Sequence, residues 1–311
     1  MKHLFIINPA AGSRDRTQLY SKLIREACAA KEIPCRIEVS AAPGDCKRIA
    51  REAAETGEEY KIYACGGDGT LNEVAAGAAG YPNVAVTVVS AGSGNDFTKL
   101  FSEPEAFRDI DRLLDSEEVV FDLINCNGDI SLNICSVGLD ARIGTDVANY
   151  KRIPLLSGFR AYAVSAAVNT VRGVSEHYVV EINGKRIDGQ FTLICACNGR
   201  YYGGGFNPVP NADPTDGILD VLLVRKVSRL KVLQVIGKYK DGKYAEYPQL
   251  IRHYRTNKLK IICDKPSSIN LDGELRTAQE VEISLAKEKL RFFYPKGLTW
   301  QNAAEPELTE V

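Results

Sequence analysis

The stretch that decides the fold is KIYACGGDGTLNEV, residues 61–74, in which a short apolar run meets three glycines and one aspartate before helical spacing begins. Glycines let the backbone approach an oxygen-rich ligand, and the N–H groups at the start of a helix favour anions. The stretch lacks the lysine of a P-loop and the spacing of a GxGxxG dinucleotide turn. We interpret it as a phosphate-binding strand–turn–helix, with a structural turn capped by Asp68 as the alternative.

Two more loops of small residues follow predicted strands on either side of this turn. They are NPAAGS, residues 8–13, and SAGSGNDF, residues 90–97. Strands that alternate with helical stretches predict a parallel sheet, whose ligands lie at the carboxyl ends of the strands. Three such loops at one edge favour a nucleotide cleft over three ordinary turns. The sequence AGSG does not fit the GxSxG pattern, which disfavours a serine hydrolase.

From about residue 120 the pattern becomes antiparallel. Strand-like runs are joined by Asn-Gly turns at Asn127 and Asn183, as in a β-sandwich or partly open barrel. Two helices are predicted to interrupt it, near residues 158–172 and 229–256. The fold class is therefore α/β + β, with a parallel-sheet domain at residues 1–122 plus about 295–311 and a β-rich domain at 123–294.

Composition limits the classes of function. The chain has 311 residues and a net charge of −1, which argues against a basic nucleic-acid-binding protein. It has no apolar run of transmembrane length, and its amino-terminal apolar run is too short for a signal peptide, so we expect a cytoplasmic protein. Nine cysteines without a CxxC pair predict buried free thiols rather than disulfides or zinc ligands.

Two carboxylate-bearing loops lie in the second half. In NPVPNADPTDGILDV, residues 207–221, Asp213 and Asp216 are hard oxygen ligands that suit Mg²⁺ or Ca²⁺, with a solvated Asp-Pro turn as the alternative. In SINLDGELR, residues 268–276, Asp272 lies on a tight turn, and Glu274, two residues on, is expected to face the same side. By itself this second motif is also an ordinary hairpin turn.

Taken together and in order, GGDGT, CNGRYYGGGF, DGILDV and LDGE resemble the diacylglycerol kinase catalytic family, which includes sphingosine, ceramide and bacterial lipid kinases. GGDGT alone is shared with NAD kinases and 6-phosphofructokinases, whereas the ordered set is specific and covers nearly the whole chain. The resemblance implies a Rossmann-like ATP domain followed by a β-sandwich domain, with the cleft between them. It also implies ATP and Mg²⁺ as cofactors.

The resemblance assigns roles to individual residues. It implies a catalytic base at Asp272, with Glu274 and Asp68 beside it, and a structural Mg²⁺ site at Asp213, Asp216 and the carbonyl of Ile218. Asp68, Asp96 and Asp122 resemble carboxylates that link the metal to the cleft through water. Arg14 and Arg16 stand where many members have lysine or glycine, which leaves the phosphate-neutralising cation open. The implied nucleotide-binding positions are Asn8, Pro9, Ala10, Ala11, Gly12, Ser40, Gly66, Gly67, Asp68, Gly69, Thr70, Leu71, Asn72 and Ser93.

The implied reaction is the phosphorylation of a lipid hydroxyl, first of all diacylglycerol, and the lipid must come from a membrane. Residues 225–260 contain eleven Lys or Arg against Asp241 and Glu246, with Leu230, Leu233 and Ile236 at helical spacing. This pattern predicts either a core-packed helix with a solvated basic face or a surface that docks on anionic lipid at the inner face of the membrane. Exposed edge strands could also pair in a homodimer.

Other substrates and classes stay open at this point. A sphingoid base, phosphatidylglycerol or a prenol could replace diacylglycerol. A NAD kinase shares GGDGT, although the DGILDV and LDGE motifs disfavour it. A catalytically silent lipid- or nucleotide-binding regulator is disfavoured by the intact motifs.

Overall fold

The structure is a computed structural model that describes residues 1–12, 14–91, 95–142 and 175–300, without the side chains of Arg229, Leu230 and Leu233. The helix predicted near residues 158–172 lies outside the described residues. The chain divides into two compact units. One contains Met1–Leu123 and the segment that begins at Ala286, and the other contains Ile124–Leu285.

The first unit is a parallel sheet with helices between its strands. Its six strands lie in the order β2-β1-β3-β4-β15-β5, and only β5 is antiparallel to its neighbour. The elements are β1 (Lys2–Ile7), α1 (Thr17–Ala30), β2 (Cys35–Val39), α2 (Asp45–Glu55), β3 (Tyr60–Gly66), α3 (Asp68–Ala78), β4 (Val84–Ser90), α4 (Ile110–Leu114), β5 (Ser116–Phe121) and β15 (Leu290–Pro295).

Strand β15 returns to this sheet from the far end of the chain. Phe292 and Phe293 are fully buried, and the Phe292 ring packs against Phe97 and Phe121. The return to the first unit therefore occurs at Ala286, earlier than the boundary near 295 expected from the sequence. The strand was assigned to the wrong domain because its apolar pattern continues that of the preceding strands.

The described part of the second unit is antiparallel. Within residues 124–142 and 175–285, nine strands form a sheet in the order β12-β11-β10-β8-β13-β14-β6-β7, with β9 paired to both β10 and β13. The predicted Asn-Gly turns join β6 to β7 and β9 to β10, with positive φ at Asn127 and Asn183. The elements are β6 (Ile124–Cys126), β7 (Asp129–Ser131), β8 (Ile134–Gly138), β9 (Glu176–Ile182), β10 (Lys185–Cys197), β11 (Leu219–Arg225), α5 (Arg229–Lys240), β12 (Ile251–Thr256), β13 (Lys258–Leu271) and β14 (Glu274–Leu285).

Alternate residues of β10 and β11 pack into two separate apolar clusters. Ile194 and Val221 belong to a cluster built from side chains of the sheet strands. Leu193 and Leu222 belong to a second cluster, which contains Val235 and Tyr239 of α5. Because successive side chains of a strand point to opposite faces, this sheet is buried on both sides here. The predicted fold class, a parallel-sheet domain followed by a β-sandwich domain, is confirmed.

The helix predicted over residues 229–256 is too long. Helix α5 ends at Lys240, Gly242 has a φ of +71°, and residues 251–256 form β12. A glycine in the left-handed region is a common way to end a helix, and Asp-Gly supplies one here. All nine cysteines are free and eight are buried, as predicted. No helix among the described residues is long and apolar enough to cross a membrane.

Candidate active site

The GGDGT turn connects β3 to α3 through Gly67, which has extended backbone, and Asp68 is the first residue of the helix. The backbone N–H of Phe97 donates to Asp68 Oδ1 at 3.2 Å. A Cβ on Gly66 would overlap the side chain of Thr70, so only glycine fits where the strand ends. The turn therefore presents the amino end of α3, a favourable place for an anion.

Hydrogen bonds join this turn to the loops after β1 and β4. Asn8 Nδ2 donates to Thr70 Oγ1 at 3.0 Å, and the Ala91 N–H donates to the Gly66 carbonyl at 2.8 Å. Asn8 also shapes its own loop, because its Oδ1 accepts from the Ala10 N–H at 3.0 Å. The three small-residue loops thus lie together at one sheet edge, where the sequence predicted them.

The other predicted nucleotide positions lie around this edge. Ser40, which follows β2, is buried and donates its N–H to the Ile7 carbonyl at 2.9 Å. Ser93 lies outside the described residues. Arg14 and Arg16 are exposed in the connection between the first loop and α1. Pro9, Ala11 and Gly12 lie in the first loop, and Gly69, Leu71 and Asn72 lie in the first turn of α3.

Two carboxylates that the sequence analysis linked to a metal have lysine partners. Lys99 Nζ lies 2.5 Å from Asp96 Oδ1, and Lys289 Nζ lies 2.6 Å from Asp122 Oδ1. Both aspartates are buried, so the lysines offset charge that would be costly alone. Neither lysine was singled out from the sequence, because each pairing depends on packing.

Asp272 of the LDGE turn is held by an unusually complete set of donors. Its Oδ2 accepts from Ser131 Oγ at 2.6 Å and from the N–H groups of Leu132 and Asn133 at 2.8 Å each. Its Oδ1 accepts from the Ile134 N–H at 2.8 Å. The residue has a φ of +48°, which turns its side chain toward the β7–β8 connection. The carboxylate is therefore fixed by residues about 140 positions away in the chain.

The donor loop is itself held by the CNGRYY motif, which begins at the end of β10. Asn198 Nδ2 donates to the Leu132 carbonyl at 2.8 Å, and the N–H groups of Asn198 and Gly199 both donate to the Asn133 carbonyl. This explains why the CNG motif accompanies LDGE: it orients the loop that orients the aspartate.

Two opposing effects set the acidity of Asp272. Burial raises the pKa of its carboxyl group, because the charged form is disfavoured in a desolvated place, while the hydrogen bonds from Ser131, Asn133, Ile134 and Leu132 lower it. Oδ2 accepts from three donors, whereas Oδ1 accepts from the Ile134 N–H, which leaves Oδ1 the better proton acceptor.

Glu274, which strand alternation is expected to place on the same side as Asp272, has ionic partners of its own. Its Oε2 pairs with Arg276 Nη2 at 2.9 Å, and Arg276 Nε in turn pairs with Asp129 at 2.9 Å. The positive φ at Asp272 and Gly273 breaks the regular alternation, so residues two apart need not face the same side here.

The loop proposed for Mg²⁺ lies before β11. Asp213 Oδ1 accepts from the N–H and hydroxyl of Thr215 at 2.9 and 2.7 Å, and Asp216 Oδ1 accepts from the Ile218 N–H at 3.0 Å. Asp216 also pairs with Arg255. Within the described ranges, no group of three His, Cys, Asp or Glu side chains is arranged to hold a metal.

The carboxylate and carbonyl oxygens of this loop are nevertheless suitable ligands for a hard cation. Burial raises the pKa of Asp216, and the neighbouring Asp220 and Asp213 raise it further against the effects of Ile218 and Arg255. Carboxylates that repel each other in this way are stabilised by a divalent ion, and two of them plus a carbonyl are oxygen ligands that Mg²⁺ accepts. In the structure, Arg255 supplies part of the positive charge that stabilises these carboxylates, through its ion pair with Asp216.

An apolar cavity that is open to solvent lies in the second unit. Helix α5 forms one wall with Val235, Ile236 and Tyr239, and Leu193 and Val224 of the sheet form another. This predominantly apolar lining suits an apolar ligand. Asp140 also lines it and is 8% exposed. Neither the cavity nor Asp140 is marked by a motif, so neither can be found from the sequence.

Asn270 connects the Asp140 end of the cavity to the LDGE turn. Its Nδ2 donates to Asp140 Oδ2 at 3.2 Å, and its Oδ1 accepts from the Gly273 N–H at 2.7 Å. Gly273 directly follows Asp272. One side chain thus contacts both the cavity carboxylate and the turn that carries the candidate base.

Comparison with known proteins identifies the family. Residues 2–126 match the sequence model described as the diacylglycerol kinase catalytic domain, and residues 133–294 match the YegS C-terminal NAD kinase beta sandwich-like domain, which covers more than half of the chain. A relative from Staphylococcus carnosus (strain TM300), named "Putative lipid kinase", is 26% identical over 83% of this chain and 85% of its own length.

Solved structures have the same fold. A crystal structure titled as a diacylglycerol kinase from Bacillus anthracis str. Sterne has a TM-score of 0.68 at 20% identity, covering 95% of this chain and 97% of that one. A second chain from the same organism, titled a "putative diacylglycerol kinase", has a TM-score of 0.73 at 23% identity, covering 95% and 97%. At these identities the similarity concerns the fold. The two sequence models together, in chain order, show that the chain belongs to the diacylglycerol kinase-like family of lipid kinases.

Proposed function

We propose that this lipid kinase transfers the γ-phosphoryl group of ATP to a lipid hydroxyl, with Asp272 as general base. The observation that carries the proposal is the connection, through Asn270, between an apolar cavity and the turn of Asp272. Diacylglycerol, which would give phosphatidic acid, is the first substrate suggested by the family. A sphingoid base, phosphatidylglycerol or a prenol are the alternatives.

Phosphoryl transfer depends mainly on positioning and charge neutralisation, with little covalent work for the protein. In the proposed reaction the lipid hydroxyl attacks the γ-phosphorus while Asp272 Oδ1 accepts its proton, and ADP leaves. The four donors around Asp272 keep its carboxylate in one orientation, and its burial makes it more basic than an exposed aspartate.

The proposed ATP site is the sheet edge formed by the NPAAG loop, GGDGT and the loop after β4. Support comes from the Asn8–Thr70 and Ala91–Gly66 hydrogen bonds and from the exposed start of α3. Mg²⁺ would be held by Asp213, Asp216 and the Ile218 carbonyl, where it would offset the charge of clustered carboxylates. Arg14 and Arg16 remain the candidate cations for the phosphates.

We further propose peripheral binding to an anionic membrane through the basic side of α5 and its flanks. Lys226, Lys240 and Lys243 are exposed, whereas Lys238 pairs with Glu246 at 2.9 Å. Helix α5 also lines the cavity, so a bilayer on this side would lie beside the lipid site. Vesicle flotation should show binding that rises with phosphatidylglycerol content and falls with salt. Binding indifferent to both would contradict this part.

We also propose a homodimer that forms through an edge strand of the second sheet, because β12 and β7 are the edge strands of that sheet. Sedimentation at two concentrations tests it.

The experiment that tests the function is an assay with radiolabelled ATP on a total lipid extract, with the product identified by mass. Label in a phospholipid-like product is expected, and label transferred to NAD would favour a NAD kinase instead. ATP and lipid binding without transfer to any lipid would favour a silent regulator.

A matched pair of variants links the cavity to the activity. Val235→Trp fills the cavity and should reduce lipid turnover, whereas Val120→Trp changes an exposed residue of the other unit and should not reduce it.

A further inference from the structure

Arg255 of β12 pairs with two of the three aspartates in and after the loop that precedes β11. Its Nη2 forms an ion pair with Asp216 Oδ2, and its Nε lies 3.6 Å from Asp220 Oδ1. The side chain of Asp220 is 5% exposed and that of Asp216 is 25% exposed. Carboxylates withdrawn from water in this way are costly unless a charge of opposite sign lies beside them. The guanidinium therefore stabilises both.

The sheet, rather than the loop, fixes the position of Arg255. Asp220 and Arg255 are direct partners in the antiparallel register of β11 and β12, so their side chains lie on the same face. Asn183 Nδ2 also donates to the Arg255 carbonyl at 3.0 Å. A planar guanidinium can reach two carboxylates from one such position, which an ammonium group does less well.

The carboxylate oxygens of the loop already have donors from the protein. Asp213 Oδ1 accepts from the N–H and hydroxyl of Thr215, and Asp216 Oδ1 accepts from the Ile218 N–H. With Arg255 on Oδ2, both oxygens of Asp216 are engaged. A divalent cation that binds Asp216 must therefore share Oδ2 with Arg255 or displace it.

We propose that the guanidinium of Arg255 is a built-in counter-cation of this loop, which keeps the loop folded without Mg²⁺ and competes with the metal for Asp216. The inference rests on the metal site of the proposed function and adds a second cation to it. Two cations beside one carboxylate repel each other, so Arg255 lowers the affinity of the loop for Mg²⁺.

The test is hydrogen–deuterium exchange of residues 211–221 in EDTA and in MgCl₂, since the N–H groups of Thr215 and Ile218 donate to the loop carboxylates. Wild-type protein should be equally protected in both buffers. Arg255→Gln should exchange about 10-fold faster in EDTA and recover wild-type protection in MgCl₂. Arg252→Gln removes an exposed arginine of the same strand and should behave as wild type.

Two exchange results would overturn the proposal. One is a wild-type loop that exchanges much faster in EDTA than in MgCl₂, because the metal would then be what holds it. The other is exchange in Arg255→Gln that equals wild type in EDTA. Should Arg255→Gln fail to fold, Arg255→Lys keeps a cation without the planar fork. Its exchange in EDTA should exceed that of wild type and fall on adding MgCl₂, and exchange unaffected by the buffer would contradict the proposal.

Isothermal titration with MgCl₂ measures the competition directly. Arg255→Gln should bind Mg²⁺ about 10-fold more tightly than wild type or Arg252→Gln, because a nearby positive charge has been removed. Equal or weaker binding by Arg255→Gln would show that the two cations do not compete.

Neither measurement uses ATP or lipid, so the inference and the proposed function can fail separately. If no lipid is phosphorylated but exchange and titration follow the expected pattern, the proposed function fails and the role of Arg255 stands. If lipid is phosphorylated but the exchange of Arg255→Gln matches wild type, the kinase stands and the role of Arg255 fails.

Discussion

The GGDGT and LDGE turns each carry one aspartate proposed for catalysis, but they hold it in different ways. Asp68 begins a helix of the parallel sheet, and its turn depends on Gly66 leaving room for Thr70. Asp272 lies on a hairpin turn with positive φ and is held by four donors from the β7–β8 connection. The first turn is a local structure, whereas the second becomes a site only through long-range packing.

The largest expected effect comes from removing the charge of Asp272. Asp272→Asn should reduce phosphoryl transfer by at least about 10²–10⁴-fold, the usual contribution of a general base. The amide can keep the shape of the turn, so folding and ATP binding should persist. Single-turnover transfer of label to lipid measures the loss, and isothermal titration with an ATP analogue measures binding.

Asp129→Asn is the matched control for this change. Asp129 lies on β7, the strand that also carries the donor Ser131, and it pairs with Arg276. It should keep nearly full transfer. Near-normal lipid phosphorylation by Asp272→Asn would rule out Asp272 as the base.

The contrast between the two turns also explains how much could be read from the sequence. The three glycine-containing loops, the parallel sheet and the Asn-Gly hairpins were predictable because each depends on neighbours in the chain. The donors of Asp272, the Asn270 connection and Asp140 were not, since they join residues about 130 to 140 positions apart. Helix α5 was extended too far because the apolar spacing of residues 229–256 outweighed the Asp-Gly signal at 241–242.

The expectation that Glu274 faces the same side as Asp272 has a similar limit. It rests on strand alternation alone, and the structure adds that Glu274 pairs with Arg276. The rule of period two holds only while the backbone stays extended, and Asp272 and Gly273 leave that region.

A second prediction concerns the glycines of the two turns. Gly66 is needed for steric room, whereas Gly273 is needed for its positive φ. Gly66→Ala should destabilise the first unit by about 1–3 kcal/mol, since its methyl group would overlap Thr70 and displace the partner of Asn8. Gly273→Ala has open space around the new methyl group but a φ of +93°, so its cost should be about 1–2 kcal/mol from backbone strain. Hydrogen–deuterium exchange should rise at residues 60–78 in the first variant and at 268–277 in the second.

Two controls test those causes. Gly69→Ala lies in the same turn as Gly66, has nothing within 4 Å of the added methyl group, and should leave exchange unchanged. Gly273→Asn should be less costly than Gly273→Ala, because asparagine tolerates positive φ better. Equal hydrogen–deuterium exchange in Gly273→Ala and Gly273→Asn would mean that backbone strain is not the reason for a glycine at this position.

The smallest effect expected is a shift in pH dependence. Ser131 donates to the charged form of Asp272 and so lowers the pKa of that carboxyl group, against the effect of burial. Ser131→Ala removes this bond, and the pKa of Asp272 should rise. A general base must be deprotonated to act. The acid-side decrease of kcat should therefore begin at a higher pH than in wild type, while the rate at alkaline pH stays close to wild type. Ser136→Ala removes a bond to Asp140 instead, so it should leave the acid limb in place. If the Ser131 variant kept the wild-type acid limb, the titrating group would not be Asp272, and the functional contrast between the two turns would be lost.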